Sequence, residues 1–458
     1  MLGEENLVIN TQIEQKKKEI ELKQDEIDKI SKTLSEPEVE EDSNFWTRKR
    51  NAQEAYRVAE KKLDDFFKIT ERGSSISTEL IGGATTFATM AYILAYMTWS
   101  MSAIPGINLT GVLICTALVT AAACLAMGLY SNTPICLAPV LVIPGLIAGW
   151  VADGTATYSQ AFGIVAISGI VFILVSLFNL RELFARCLPK NLKIGLAASV
   201  GFLIARVGMN SCGLYAATES GLTYGDYHAK STILGVIGIA ICFVLTYVKF
   251  NINGREYKIR GALLIGIILT TIIGIPMGVT VLPESIFTIG GFSAIKDVAF
   301  QVDIFGALKL SFVPLIMMLL INDFFGTMGS GFALAGKANL LDEDGNFPAF
   351  GRVFLVDSCS TLVGSIFGIS TVSCFAESAS GIESGSRTGL SNVATSFLFL
   401  LCCFVSPLFL MIPGAATGAA LVVVGISMLE TVKDLDFEPI EFLPVAAMWP
   451  VSYTHLRA

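Results

Sequence analysis

The sequence predicts an all-α polytopic membrane protein, and its composition and hydropathy pattern carry that prediction. Of its 458 residues, 53% are hydrophobic and only 15% are charged, and the mean hydropathy is +0.66. A soluble protein of this size needs a larger charged fraction to cover its surface. The apolar residues form long runs joined by short polar segments, a pattern typical of a chain that crosses a lipid bilayer repeatedly. A soluble enzyme is therefore excluded.

Twelve apolar segments, and the start of a thirteenth, follow one another from Glu79 onward. About 20 helical residues cross the hydrocarbon core of a bilayer, so each long segment is sufficient for one span. The segments, numbered as spans one to twelve, lie near residues 79–103, 108–130, 134–150, 160–180, 191–212, 231–249, 260–282, 307–328, 352–368, 370–384, 388–411 and 413–429, and the thirteenth begins near Phe442.

Spans three and ten differ from the others in length and composition. Span three (Pro134–Trp150) and span ten (Ser370–Ser384) are short and begin with Pro-rich or Ser/Thr-rich stretches. Short, interrupted spans at matching places in two halves of a carrier indicate half-helices that meet near the bilayer midplane. We therefore expect the functional site between these two spans.

Residues 1–68 are predicted to form a charged, cytoplasmic helical extension that precedes a transporter domain at 69–450. Ile13, Ile20, Ile27 and Leu34 recur every seven residues but lack a second apolar heptad position. This favours a solvated helix or helix pair over a coiled-coil partner site. The extension mixes both signs of charge, so it does not indicate nucleic-acid binding.

The loops that connect the spans carry their basic residues almost entirely on one side of the predicted membrane. This is also the side of the basic N-terminus. Positive residues mark the cytoplasmic side, so we expect a multi-pass protein of the cell membrane with a cytoplasmic N-terminus. The basic residues on this side are Arg181, Arg186, Lys190, Lys193, Lys249, Arg255, Lys258, Arg260, Lys337, Arg352, Arg387 and Lys433, and those on the opposite side are Lys230, Lys296 and Lys309.

The last apolar run stops after Trp449-Pro450, too early to complete a thirteenth span. Residues 451–458 are predicted to be a non-native tail, with the native protein continuing into further helices. A natural stop codon directly after Ala458 in the source gene would contradict this hypothesis.

Ionisable residues inside the membrane are costly and mark functional sites. Glu377 follows a hydroxyl-rich stretch in span ten, where a helix is expected to begin mid-membrane. Its carboxylate can accept N–H groups of a planar heterocycle and hold a proton, and the alternative is that it only locks helix packing. Asp323 in span eight fits the substrate site and pairing with another helix equally well. Asp357 in span nine is predicted to be a packing or structural hydrogen-bonding residue.

Other polar residues inside the spans are weaker candidates for a functional site. Arg206 lies well inside span five, where it could counter a carboxylate, bind an anionic solute or reach the membrane interface. Thr86 and Thr89 could line a pocket or bond their own backbone. The ten cysteines lie mostly in apolar runs and only two histidines occur, so neither a metal site nor a cofactor is expected.

Taken together, these segments resemble the nucleobase–cation symporters (the xanthine/uracil permease superfamily), in particular the azaguanine/hypoxanthine/adenine/guanine permease branch. The resemblance runs from about Phe66 to Pro450. The motifs that carry it are Thr85–Ile93 in span one, Met127–Tyr130 at the end of span two, Leu137–Pro139 in span three, Leu341–Gly345 after span eight, Ala376–Ala379 in span ten and Arg387–Leu390 after it.

The resemblance implies fourteen spans arranged as two inverted repeats of seven, which divide into a core and a gate domain. Spans three and ten would each be half strand and half helix, and the last gate helices would be missing here. It also implies uptake of purine or pyrimidine bases, usually with protons, and a homodimer formed through the gate domain. The predicted substrate-binding residues are Glu377, Asp323, Gly326, Thr327, Thr86, Thr89, Ala138 and Ser378, with Glu377 and Asp323 as candidates for proton coupling.

Three departures from the family pattern fall near the expected pocket. Span eight of this branch usually reads Asp-x-Phe-Asp-Thr, but Gly326 occupies the place of the second aspartate. In span three, Val140–Pro144 replaces the usual Gly-Met-Gly-Leu-Asn run, and Arg206 has no usual counterpart. These departures leave the usual purine specificity open.

Three functional hypotheses follow from the sequence. The first is a secondary active, proton-coupled carrier of nucleobases or related small heterocycles. The second keeps the fold but carries another polar or anionic solute, which competition by a panel of bases and organic anions would reveal. The third is a non-transporting membrane sensor or scaffold, which would bind no solute in a thermal-shift screen and show a phenotype when residues 1–65 are deleted. None of the three is an enzyme.

Overall fold

The structure is a computed structural model, and it describes most of the chain between residues 14 and 443. The described residues are 14–26, 28–29, 43–178, 190–218, 221–248, 250–252, 255–257, 259, 261–283, 285, 287, 291–343, 346–429, 432–433, 435–438 and 442–443. Ile13, Ile27, Leu34, Arg181, Arg186 and the predicted tail 451–458 lie outside them, as does most of the expected thirteenth span.

The chain divides into two compact units, residues 1–63 and 64–458. In the first unit, residues 14–26 are helical, and helix α1 (Ser43–Phe67) begins there and ends in the second unit. The described side chains of residues 14–26 are exposed.

The second unit consists of helices with three short two-stranded sheets. Its first half contains α2 (Ile76–Met90), α3 (Tyr92–Met101), α4 (Leu109–Ala126), β1 (Leu137–Pro139), α5 (Ile143–Ala152), α6 (Tyr158–Leu177), α7 (Lys190–Ser211), β2 (Tyr215–Thr218), β3 (Gly221–Tyr224), α8 (Lys230–Tyr247), β4 (Phe250–Ile252), β5 (Arg255–Tyr257) and α9 (Ala262–Met277).

The second half begins with a 3₁₀ turn at Gly291–Asp297. It continues with α10 (Ile304–Ala307), α11 (Val313–Lys337), α12 (Phe350–Ile366), β6 (Val372–Cys374), α13 (Ser378–Glu383), α14 (Leu390–Cys402), α15 (Ser406–Leu410) and α16 (Gly414–Leu429).

Each of the twelve predicted spans contains helix at the expected place, and most bounds agree within a few residues. Span eight was predicted to end at residue 328, but α11 continues to Lys337. The glycines of this stretch lowered its predicted helicity, whereas packing in the folded protein keeps it helical. Span eleven was predicted as one segment, but it ends at Cys402 and a short helix resumes at Ser406.

Five helices in the described part of the chain are both long and apolar enough to cross a membrane. They are 76–101, 109–131, 158–177, 230–247 and 310–337. The half-helices of spans three and ten are short, as predicted, because a strand supplies the other half of each span.

The helices of the second unit pack into the two groups that the resemblance implies. Helices α7, α8, α9 and α16 contact one another, whereas α2 to α6 and α11 to α14 pack around the paired strands β1 and β6. The helices α16 and α3 are among the contacts between the two groups. The described helices of the second unit therefore form two packed groups, one of them around the paired strands.

The glycines of two motifs hold the end of span two against the loop after span ten. A Cβ atom on Gly389 would lie 2.0 Å from the backbone oxygen of Gly128, and one on Gly128 would lie 2.5 Å from the oxygen of Gly389. Only glycine permits this approach of two backbones. Asn132 adds a hydrogen bond, since its side-chain oxygen accepts from the Gly389 amide at 2.8 Å.

Glu79 fixes the start of span one to the same loop. Its carboxylate is fully buried and accepts the backbone N–H groups of Arg387 at 2.8 Å and Thr388 at 3.3 Å. Arg72 donates to the backbone oxygens of Asn132 and Arg387 at 2.5 and 3.0 Å. Spans one, two and ten therefore share one polar anchor at this end of the molecule.

Candidate functional site

Two short strands pair with each other inside the second unit. Strands β1 and β6 pair antiparallel, with Ala138 opposite Ser373. Beyond the strands, the Val140 amide donates to Thr371 at 2.8 Å and the Phe375 amide donates to Cys136 at 3.0 Å. Irregular backbone inside a membrane is tolerated only where its polar groups are satisfied and it is surrounded by protein or a cavity. Each strand supplies hydrogen-bond partners for the backbone of the other, and this pairing positions both half-helices.

Glu377 stands at the start of half-helix α13, directly after β6. Its Oε1 accepts a hydrogen bond of 2.6 Å from the hydroxyl of Tyr92 at the start of α3. Tyr92 is fully buried whereas Glu377 is half-buried. Tyr92 therefore positions the Glu377 carboxylate from inside the protein.

Thr89 and Ser380 complete this first group of polar side chains. Their hydroxyl oxygens lie within hydrogen-bond distance, 2.8 Å apart, and the Ser380 hydroxyl donates to the backbone oxygen of Glu377 at 2.8 Å. The Thr89 hydroxyl oxygen lies 3.3 Å from the same backbone oxygen. Because Thr89 and Tyr92 are three residues apart, they lie on the same side of span one. Span one therefore holds both the backbone and the side chain of Glu377.

Thr86 lies one turn earlier and contacts α13 closely. A Cβ atom on Gly381 would be 2.1 Å from the Thr86 hydroxyl oxygen, and Thr86 is buried. This placement makes Thr86 a packing residue that brings spans one and ten together.

A second group of polar side chains is hydrogen-bonded to β6 and contains two fully buried aspartates. Asp323 of α11 accepts a hydrogen bond from Thr361 at 3.3 Å. Thr361 also donates to the Val372 oxygen at 2.9 Å and accepts from the Val372 amide at 3.1 Å. Asp323 is thus tied to span nine and the strand of span ten, not to Glu377.

Asp357 of α12 is the second carboxyl group of this cluster. It accepts a hydrogen bond from Thr327, whose hydroxyl lies 2.7 Å from that of Ser373 on β6. One oxygen of Asp323 and one of Asp357 have no hydrogen-bond partner. Burial of an unpaired carboxylate is costly, so the cluster is suited to receiving a proton.

The remaining predicted residues take three different positions. Gly326 is half-buried, and a Cβ atom there would meet only the Ser373 hydroxyl, at 3.7 Å. The Ser378 hydroxyl accepts from the Cys136 amide at 3.0 Å and donates to the Phe375 oxygen at 2.7 Å, which joins spans three and ten. Ala138 is buried within β1. Gly326 therefore leaves open space beside the strand crossing, whereas Ser378 and Ala138 support it.

Sequence reasoning missed Tyr92, Ser373 and Ser380 as members of these groups. A weak signal existed for Tyr92, because it follows Thr89 at a helical spacing of three. Ser380 stands three residues after Glu377 in the same way. Within the described ranges, no three His, Cys, Asp or Glu side chains converge as a metal site would require.

Comparison with known proteins identifies the family of this chain. Residues 77–446 match the permease family, the group of xanthine and uracil permeases. The chain belongs to the permease family. This assignment confirms the resemblance that the motifs predicted.

Several characterised or named relatives of this permease match it over most of their length. It is 36% identical to a putative permease of Methanocaldococcus jannaschii, over 82% of this chain and 84% of that protein. It is 32% identical to the guanine/hypoxanthine permease PbuG of Bacillus subtilis, over 86% and 90%. It is 30% identical to the adenine permease AdeP of Escherichia coli, over 86% of each.

Solved structures confirm the fold of this permease. The transmembrane domain of the cyanobacterial bicarbonate transporter BicA superposes with a TM-score of 0.62 at 16% identity, covering 82% of this chain and 94% of that one. Murine Slc26a9, an anion transporter in its inward-facing state, superposes with a TM-score of 0.57 at 12% identity, covering 78% and 61%. The fold is therefore that of a multi-pass membrane transporter.

Proposed function

We propose that this permease is a secondary active transporter of nucleobases, with purine-like bases as its main solutes and the proton as coupling ion. The observation that carries the proposal is the half-buried Glu377 beside the paired strands, whose carboxylate is held by Tyr92 at 2.6 Å. Relatives that are at least 30% identical over more than four-fifths of the chain include adenine and guanine/hypoxanthine permeases.

Glu377 has the chemistry that a nucleobase requires. A carboxylate accepts the ring and amino N–H groups of a base, and two such bonds in one plane orient a flat solute. The pocket would be completed by the open space at Gly326, where the solute could approach the backbone of α11 closely.

We infer proton coupling because the transport cycle would take the Glu377 carboxyl group through surroundings of low dielectric constant. An ionised carboxylate without solute is poorly solvated there, so the solute-free carrier would return with Glu377 protonated. Asp323 and Asp357, with their unpartnered oxygens, supply a second place for a proton within the same core. Motion of the core helices against α7 and α16 would then alternate access to the site.

Uptake into proteoliposomes tests this function. Purified protein should accumulate labelled adenine, guanine or hypoxanthine above the external concentration when the lumen is alkaline. Dissipating the pH gradient with a protonophore should reduce uptake to equilibration. A sodium gradient without a pH gradient is the control for the coupling ion. Failure to accumulate any base under either gradient would overturn the proposal.

The proposal also covers the membrane in which the protein lies, its orientation in that membrane and its oligomeric state. We place the protein in the cell membrane with residues 1–68 in the cytoplasm, and we infer a homodimer. Proteolysis of the exposed segment at residues 14–26 in right-side-out and inverted vesicles tests the orientation, since cleavage is expected only in inverted ones. Mass photometry of the detergent-solubilised protein tests the dimer, and a single monomer peak would contradict it.

A further inference from the structure

The half-helix that follows Glu377 is too short to fix its own position. Helix α13 has six residues, Ser378–Glu383, whereas an isolated helix in water needs about 12–15 residues to be stable. The carbonyl groups of its last turn have no partner further along the helix and must find one elsewhere. The position of α13, and with it that of Glu377, therefore depends on contacts with neighbouring elements.

Span one lies along this half-helix. Five of its residues are spaced three or four apart and so share one face of the continuous helix 76–101, here termed the span-one face: Glu79, Gly82, Thr86, Thr89 and Tyr92. At about 1.5 Å per residue, this face extends for about 20 Å. Each of its members contacts span ten or the loop after it.

The middle of the span-one face fits α13 closely. A Cβ atom on Gly82 would lie 3.0 Å from the Gly381 backbone oxygen, and one on Gly381 would lie 2.6 Å from the Gly82 oxygen. Two glycines therefore let the backbones of span one and α13 touch. Close packing fixes the distance between two helices, whereas directional hydrogen bonds fix their relative position along the axis.

Such hydrogen bonds hold α13 from both of its ends. At the first end, Tyr92 donates to the Glu377 carboxylate at 2.6 Å. Beyond the other end, the Glu79 carboxylate accepts the backbone N–H groups of Arg387 at 2.8 Å and Thr388 at 3.3 Å. Glu79 is fully buried, and hydrogen bonds to a charged group are stronger than those between neutral groups.

Arg387 connects Glu79 with the half-helix itself. Its guanidinium group donates to the backbone oxygens of Ile382 and Ser386, each at 2.7 Å. The Ile382 oxygen belongs to the last turn of α13, where a cation also interacts favourably with the helix dipole. The Glu79 carboxylate thus fixes the backbone from which the Arg387 guanidinium reaches α13.

We propose that Glu79 is a positioning residue of the carrier: it fixes α13 along span one and thereby places the Glu377 carboxylate at the opposite end of the same half-helix. The proposal rests on the transport function proposed above. In this role Glu79 acts through Arg387 and α13 rather than on the solute. Without its carboxylate, α13 would shift along the span-one face, and Glu377 would bind the solute less tightly.

Adenine uptake by the full chain in proteoliposomes tests this role. Glu79→Gln keeps the shape of the side chain, removes its charge and replaces one acceptor oxygen by an NH2 group. We expect the KM for adenine to rise by about fivefold to fiftyfold, because part of the about tenfold to hundredfold effect of one hydrogen bond to a charged group reaches Glu377. The maximal rate per molecule of folded protein should change by less than about twofold.

A double-mutant cycle separates positioning from a general loss of stability. Tyr92→Phe acts on the other end of α13, and the free-energy effects of distant, independent sites add, so their factors on KM multiply. If Glu79 and Tyr92 position the same half-helix, the double variant should have a KM at least about threefold lower than the product of the two single factors predicts. A KM equal to that product would overturn the positioning role.

A second variant keeps the proposal testable if Glu79→Gln fails to fold. Arg387→Gln removes the guanidinium bonds to the end of α13, and we expect it to raise the KM for adenine by about twofold to tenfold. Arg352→Gln is the matched control, because Arg352 lies on α12 and donates to the Tyr130 backbone oxygen at 3.4 Å. Its KM should stay within about twofold of the wild-type value.

Thermal unfolding of each variant distinguishes the outcomes. Gly163→Ala places a Cβ atom 2.2 Å from the Asp303 backbone oxygen, so it should lower the unfolding temperature and leave the KM for adenine unchanged. If Gly163→Ala raises the KM as much as Glu79→Gln at an equal loss of unfolding temperature, the positioning role is wrong. If Glu79→Gln and Arg387→Gln both keep the wild-type KM, the role is also wrong while base transport stands. If the wild-type protein transports no base, the failure lies with the proposed function.

Discussion

The hydroxyl of Tyr92 donates a hydrogen bond of 2.6 Å to Glu377, across 285 positions of sequence. Tyr92 is fully buried, and Glu377 stands at the broken point of span ten as a half-buried residue. The bond fixes the orientation of the Glu377 carboxylate beside the paired strands β1 and β6. It also makes span one part of the site, although span one is continuous with no carboxylate at this depth.

Tyr92→Phe removes this hydrogen bond and retains the ring, whose centroid lies 6.4 Å from that of Phe375. We expect the KM for nucleobase uptake to rise by about threefold to thirtyfold, because Glu377 loses a donor that orients it. Uptake kinetics in proteoliposomes measure the change. Tyr158→Phe is the matched control, since the Tyr158 hydroxyl also donates one bond, to the Val298 oxygen at 3.0 Å, but lies outside the site. Equal effects of both variants would refute the role given to Tyr92.

Glu377→Gln keeps the size of the side chain and removes its ability to exchange a proton. We expect accumulation of base against its gradient to fall to background, because a permanently neutral group cannot couple solute to proton movement. Glu383→Gln is the control, since Glu383 lies on the same half-helix but is exposed and paired with Lys337 at 3.3 Å. Normal pH-driven accumulation by Glu377→Gln would eliminate this residue from the mechanism.

Gly326→Ala and Gly326→Asp test the open space beside the strand crossing. A Cβ atom there meets the Ser373 hydroxyl at an ordinary contact distance of 3.7 Å, so both variants should fold. We expect Ala to change uptake little. Asp adds a carboxylate near the solute and should shift the ratio of adenine to urate uptake toward adenine by about tenfold, through repulsion of the anion. An unchanged ratio would place the solute away from Gly326.

Gly389→Ala should destabilise the protein without touching the site. Its Cβ would lie 2.0 Å from the Gly128 backbone oxygen, and neither backbone can move without disturbing spans two and ten. We expect a loss of about 1–3 kcal/mol of folding stability, typical of overpacking. Thermal unfolding in detergent measures it. Gly329→Ala is the control, because nothing lies within 4 Å of the added atom, and its stability should not fall.

The order and approximate bounds of the spans could be predicted from the sequence because hydropathy is a local property. Each segment must form its backbone hydrogen bonds within itself and present apolar side chains to lipid, whatever its neighbours are. The same reasoning located Glu377, since a carboxylate after a Ser/Thr-rich break is recognisable without knowing what it contacts. It did not find the end of α11 at Lys337 or the break after Cys402, because packing decides helix ends in glycine-rich and apolar stretches.

The tertiary structure decided which polar groups meet. Both Asp323 and Glu377 were candidates for the site in the sequence, yet Asp323 is fully buried with Thr361 beside β6 whereas Glu377 is half-buried beside Tyr92. Arg206 lines a cavity together with residues of α3 and α5, a placement that its own span does not reveal. The sequence by itself determined that this chain crosses a membrane with two broken spans. Only the pairing of β1 with β6 decided which polar side chains of the two broken spans come together, because contacts between distant segments depend on how helices pack and not on their own hydropathy.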